Sequence, residues 1–163
     1  PYSESDLRAE EDRGALRAAL GVNAWYHQND GRTAANDDAW SVGVDLAAMW
    51  HGFTLSGEYH YRETDPAGAA PFDMELDGWF AQAGYMIVPQ TFEIAFRYAE
   101  VDWSNVVASA GQTAAREYLI VLGYFWNDHS LKAQLDFGRV ENRFFSGNAE
   151  DEYRLRLQFQ IIF

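Results

Sequence analysis

The sequence predicts an all-β fold, an antiparallel transmembrane β-barrel of outer-membrane type with about eight strands. Three observations carry that expectation. Apolar and polar residues alternate with period two in about eight separate segments, the connections between segments alternate between short and long, and the aromatic residues sort by depth along each apolar face.

The C-terminal segment is the clearest. Over residues 151–163, Tyr153, Leu155, Leu157, Phe159, Ile161 and Phe163 fall on one parity and Arg154, Arg156, Gln158 and Gln160 on the other. Side chains of a strand alternate between its two faces, so this segment has one apolar and one polar face. The same reading gives strands over 16–27 (Ala18, Leu20, Val22, Ala24 and Tyr26 on the apolar side) and 39–51 (Trp40, Val42, Val44, Leu46, Ala48 and Trp50). Residues 52–62 set Phe53, Leu55, Tyr59 and Tyr61 against Thr54, Ser56, Glu58, His60 and Arg62, and 79–88 set Trp79, Ala81, Ala83, Tyr85 and Ile87 against Phe80, Gln82 and Gly84. In 91–101 the apolar set is Phe92, Ile94, Phe96 and Tyr98; in 117–126 it is Tyr118, Ile120, Leu122, Tyr124 and Trp126, blurred by Leu119 and Val121. Residues 130–140 restore the pattern with Leu131, Ala133, Leu135 and Phe137.

Residues 51–52, 88–90 and 127–129 read as tight turns, whereas 28–38, 63–74, 102–116 and 142–151 read as long loops rich in Gly, Ala, Asn, Asp and Ser. Short turns at one end and long loops at the other is the outer-membrane layout, with the short turns periplasmic. Residues 1–13 then form an acidic periplasmic segment or turn, and 14–163 the barrel strands. Trp50, Phe53, Tyr85, Phe92, Tyr124, Trp126 and Phe163 lie near tight turns; Tyr26, Trp40, Tyr59, Tyr61, Trp79, Tyr98, Tyr118 and Tyr153 lie near long loops; aliphatic residues fill the middles. Two aromatic girdles around an aliphatic belt suit a membrane. A soluble barrel has no reason to sort Tyr and Trp by depth.

Composition removes other classes. With no cysteine, neither a disulfide framework nor a Cys-based site exists, and a net charge of −13 disfavours nucleic acid, whose binding needs a Lys/Arg surplus. The longest apolar stretch is far shorter than a spanning helix. The N-terminal residues have neither a basic nor an apolar signal region, so an export signal is expected to have been removed already.

Phe92-Glu93-Ile94-Ala95-Phe96-Arg97-Tyr98, Val101-Asp102, Arg116-Glu117-Tyr118, Gly123-Tyr124-Phe125 before an Asn-containing turn, and the closing Tyr153-Arg154-Leu155-Arg156-Leu157-Gln158-Phe159-Gln160 with a final Phe together resemble the C-terminal half of the phosphate-selective porin O/P family, best over 75–163. The resemblance implies a sixteen-stranded homotrimeric porin in the outer membrane of a Gram-negative-type bacterium, of which this chain would supply eight strands. Its partners would be outer-membrane lipid and lipopolysaccharide, the barrel-insertion machinery reading Phe163 as an assembly signal, and small hydrophilic solutes or anions; no cofactor or metal is implied. Strand counting alone also allows a small closed eight-stranded barrel with a docking role through its loops.

Lumenal charges should set selectivity. The basic residues on that parity are Arg17, Arg62, Arg97, Lys132, Arg154 and Arg156, and the acids are Asp45, Glu58, Glu93, Glu117 and Asp136. Arg97 stands where the family motif has its Arg, and with the Arg154–Arg156 ladder it is a leading candidate for anion contact; the competing reading has these groups paired with acids across the wall. Small inward residues (Gly21, Gly43, Ser56, Gly84, Ala95, Gly123 and Gly138) suggest a wall bordering water. His27, His51, His60 and His129 are scattered, without metal-ligand spacing. Ser56, Glu58 and His60 share one face, but three polar residues on a wet wall are ordinary, and no enzyme is expected. Asp37, Asp38, Glu150, Asp151 and Glu152 are loop acids that either stay solvated or bridge lipopolysaccharide through divalent ions.

Overall fold

The computed structural model describes residues 5–28, 37–66, 74–104, 111–128 and 130–162. Eight strands follow one another: β1 (Arg17–His27), β2 (Asp37–Trp50), β3 (Phe53–Pro66), β4 (Met74–Val88), β5 (Phe92–Ser104), β6 (Gln112–Asn127), β7 (Leu131–Phe144) and β8 (Ala149–Ile161). They form one antiparallel meander in sequence order. Each strand pairs only with its neighbours in the chain, and among the described residues β1 and β8 do not meet, so the sheet has two free edges.

The register puts every apolar set on one side. Leu20 pairs with Leu46, Val22 with Val44 and Val44 with Tyr59; Phe96 pairs with Ile120, Leu122 with Leu135, and Leu135 with Leu157. Apart from the half-buried Leu122 these side chains are exposed, Val22 at 75%, and so is Leu155 of β8 at 69%. The opposite parity is systematically less exposed: Ala39, Met86, Ala95, Leu119, Phe125 and Val140 are buried on it, as expected for the inner side of a curved sheet. A water-soluble sheet hides its apolar face; this one hides its polar face.

The aromatic girdles close through ring contacts between neighbouring strands. Near the tight turns Phe53 meets Tyr85 at 4.4 Å between centroids; near the long loops Trp40 meets Tyr61 at 5.1 Å, Trp79 meets Tyr98 at 4.9 Å, and Tyr98 meets Tyr118 at 5.0 Å. Beyond the second girdle the outer parity turns charged. The Tyr98 hydroxyl donates to Glu100 (2.7 Å), Tyr61 donates to Glu63 (3.2 Å), and Arg116–Glu100, Arg139–Asp151 and Arg143–Glu141 form ion pairs. An apolar body with a polar tip is the form of an interfacial aromatic.

Several strands run further toward the long loops than alternation alone indicates. β4 begins at Met74 and β6 at Gln112, because pairing continues through charged rungs such as Asp77↔Asp102 and Arg116↔Glu141, where no apolar face is needed. The expected long loop over 142–151 is instead a four-residue turn, 145–148, with Gly147 at φ 81°. At the opposite end, His51 (φ 49°) and Gly52 (φ 82°) form a two-residue turn whose two positive angles match the twist of the flanking strands. Gly52 is required twice over, since the Arg13 guanidinium occupies the space a side chain would need.

Candidate solute pathway on the inner face

Residues 5–16 cross the inner face at its tight-turn end as a strap. Asp6, with no exposed surface, accepts the Gly52 N–H at 2.8 Å and is gripped by Arg8 through Nε (2.7 Å) and Nη2 (3.1 Å). Arg8 in turn donates to the Asp12 and Ala15 carbonyls, at 3.0 and 2.7 Å. The His51 N–H donates to the Arg13 carbonyl at 2.8 Å, and the Gln90 side chain donates to the Leu7 carbonyl at 3.1 Å. Ser5, 1% exposed, donates to Glu93 Oε2 at 2.6 Å. The strap therefore reaches from the foot of β1 under the β2–β3 turn to β5, roughly 20 Å at the ordinary spacing between strands. Burial pushes the Asp6 carboxyl up, but the hydrogen bonds from Arg8 and the Gly52 N–H pull harder and hold it below its ordinary value.

All eleven charged residues expected on the inner face sit on that parity of the register, but in different settings. Glu93 is 4% exposed, folded over Gly84 with Thr54 3.5 Å away. Lys132 is 7% exposed, and Asp136 is buried against Arg156. Arg154 binds Glu117 at 3.2 Å, so the two arginines of β8 are both engaged by carboxylates of β6 and β7. Glu58 pairs with His60. Arg97 and Arg62 differ: neither has a carboxylate partner among the described residues, and each lies over an aromatic ring, Arg97 4.0 Å from the Phe80 centroid and Arg62 5.6 Å from that of Trp25. Arg17 is exposed at the foot of β1.

The small inward residues do not simply border water. Gly43, Gly84, Ala95, Gly123 and Gly138 are buried, because long neighbours lie flat across them: His60 over Gly43, Glu93 over Gly84, Phe125 against Gly123 and Leu119 over Gly138. Gly21 and Ser56 stay half-buried. Leu119 and Val121, which blur the alternation of β6, are inward residues of this flat layer.

Phe163 and His129 lie outside the described residues, as does the Asp37 side chain. Among the described residues no group of three His, Asp or Glu side chains is placed to hold a metal ion. Neither the strap nor the stacking of Arg97 and Arg62 is legible beforehand; the run before β1 reads only as an acidic segment or turn.

No curated protein matches the chain significantly. The sequence model of the family described as phosphate-selective porin O and P matches residues 14–163, which is the whole eight-stranded sheet. With an apolar outer face, a charged inner face and aromatic girdles in the places such a protein needs them, the chain belongs to the phosphate-selective porin O and P family, whose members are outer-membrane channels rather than enzymes.

Proposed function

We propose that this chain forms about half the wall of a water-filled outer-membrane pore through which small hydrophilic solutes or anions diffuse passively. The observation that carries this reading is the open sheet: an eight-stranded wall, charged inside and apolar outside, with free backbone along β1 and β8. Unpaired strand edges do not persist in a bilayer core, so both edges call for partner strands. Eight further strands supply them in the sixteen-stranded architecture the family implies, and this favours a half-barrel over a small closed one.

Within the pore, Arg97 and Arg62 are the anion contacts, because their charge is not cancelled by a neighbouring carboxylate. Arg154 and Arg156 stiffen the wall through Glu117 and Asp136, and Lys132 acts from a buried position. The strap narrows the tight-turn end, taken as periplasmic. On the inner parity Glu150 and Glu152 of β8 join the five acids already placed there against the six bases, so selectivity for anions is weak and strict phosphate selectivity is not expected. The charged outer rungs above the second girdle meet lipopolysaccharide, the assembly is a homotrimer in a Gram-negative-type bacterium, and Phe163 serves the insertion machinery.

The test is single-channel recording of the full-length protein in planar bilayers. A stable open conductance with weak anion preference supports the reading, whereas a folded, membrane-inserted protein that conducts no ions refutes it.

A further inference from the structure

We infer that a groove on the outer face, running obliquely across the strands from β3 to β7, seats one acyl chain of lipid A, with the phosphorylated sugar of that lipid at the Arg139 end. The inference rests on the outer face meeting the outer-membrane bilayer, and it names the partner at one place on that face.

The groove measures about 500 Å³. Its outward-facing side chains come from two neighbouring rungs of the sheet. Leu55, Ala83, Phe96, Ile120 and Phe137 pair in succession along one rung, and Ala81, Tyr98, Tyr118 and Arg139 along the next. The groove therefore crosses the strands, with Ala81 and Ala83 as a low floor between Leu55 and the rings of Phe96 and Tyr98. The membrane boundary cuts these rungs at an angle. The second rung begins in the aliphatic belt with Leu20 on β1 and Leu46 on β2, passes Tyr98 and Tyr118 of the girdle, and reaches the charged Arg139 on β7. Rungs thus climb toward the long-loop end from β1 to β8, as strand tilt requires. Over four interstrand spacings, roughly 19 Å, a tilt of roughly 40° lifts the groove by about 12 Å, most of the depth of one leaflet of about 15 Å.

Hydrocarbon suits this slot better than a peptide does. The strands that line it are paired on both sides, so they offer no free backbone groups, and a peptide laid there would leave its own N–H and C=O groups unpaired in lipid. At the interfacial end the lining turns polar. Arg139 spends Nε and Nη2 on Asp151, while its Nη1 and the Tyr118 hydroxyl make no hydrogen bond among the described residues. The acids around this mouth are matched one by one, Glu100 by Arg116, Glu141 by Arg143 and Asp151 by Arg139, so they set no net negative charge against a phosphate. Unused donors at the end of an apolar slot fit the junction between an acyl chain and a phosphorylated sugar. The mouth lies on the long-loop side, taken as extracellular, which is the leaflet of lipopolysaccharide.

Native mass spectrometry of the full-length protein tests this. Protein refolded in detergent is mixed with lipid A or with phosphatidylglycerol, an anionic phospholipid, exchanged into fresh detergent and weighed intact. The expected result is one lipid A retained per chain and at least ten-fold less retained by Ala81→Phe/Ala83→Phe, which fills the slot with apolar rings. Arg139→Gln/Tyr118→Phe, which leaves the slot open, should lower retention at least three-fold. Ala133→Phe, the same kind of substitution on the outer face near the tight turns, should retain as much as the wild type. Heat-modifiable migration confirms that each variant is folded. Retention indifferent to both double substitutions, or phosphatidylglycerol retained as well as lipid A, would overturn the proposal. So would an oligomer that falls apart when the slot is filled while lipid A stays bound, which would give the slot to a second copy of the chain. Conductance of the same preparations is read separately: a conducting pore that retains no lipid A sinks this inference alone, and a protein that neither inserts nor conducts sinks the reading beneath it as well.

Discussion

Asp6→Ala should release the strap from the inner face without unfolding the sheet. The carboxylate holds two ends of the structure together, the Gly52 N–H of the β2–β3 turn at 2.8 Å and the Arg8 guanidinium through two nitrogens. Hydrogen bonds to a charged group contribute about 1.5–3 kcal/mol each, and Arg8 keeps its carbonyl partners after the substitution, so the net loss should be about 2–4 kcal/mol. At about 1.4 kcal/mol per decade, the undocked population rises roughly 30- to 1000-fold. Trypsin reports it directly, because cleavage after Arg8 and Arg13 needs the strap free while the strands stay folded in detergent. Faster cleavage at these two sites, with unchanged heat-modifiability, is the expected outcome, together with a larger single-channel conductance as the tight-turn end widens. Asp6→Asn should fall between wild type and Asp6→Ala. If trypsin cuts the variant and the wild type at the same rate, Asp6 does not anchor the strap and the constriction assigned to it fails.

Acid should act on the same contact. Because the Asp6 carboxyl is held below its ordinary value of 3.8, its contribution to docking is complete above that value and is lost as pH falls through the depressed one; strap protection against an acid-active protease that fails to weaken at any acidity at which the sheet stays folded would contradict this. Arg97→Gln should move the reversal potential toward cations by more than the Arg154→Gln/Arg156→Gln double substitution does, since the latter pair is already matched by Glu117 and Asp136; both shifts should shrink near 1 M salt, where screening acts within ~3 Å. Leu135→Arg on the outer face should destabilise the inserted protein by about 2–4 kcal/mol in urea titrations of folding into vesicles, whereas Gln134→Arg next to it should cost far less. Deleting Phe163 should lower the folded fraction in membranes, measured by heat-modifiable migration, and unchanged assembly would leave it as a girdle residue only.

The strands and their two faces were legible because the requirement is local and repeated: a residue such as Val44 faces lipid by parity alone, whatever its partners are. The same reasoning stopped short at Glu63, Asp77 and Arg116, where strands leave the membrane and lose their apolar face while still pairing. Register, not composition, decided the fate of the inner charges. The sequence left Arg154 and Arg156 open between anion contact and pairing across the wall; the register, which puts Gly138 and Asp136 beside them, brings Glu117 and Asp136 within reach. The strap was out of reach for a different reason. Its anchors join residues 46, 83 and 88 positions apart, and no local pattern encodes a contact between Ser5 and Glu93.

Because the chain contains no cysteine, single cysteines can be placed at will. Cysteines at Val44, Leu135 and Leu157 and at their neighbours Asp45, Gln134 and Gln158, in the full-length protein inserted in vesicles, test most directly whether the apolar face meets lipid and the charged face meets water. A fluorophore at the first three positions should be quenched by brominated acyl chains, and the second three should react with a membrane-impermeant maleimide. Lipid quenching at Asp45, Gln134 and Gln158, or aqueous labelling at Val44, Leu135 and Leu157, would mean that the wall is inside out and that this sheet does not line a pore.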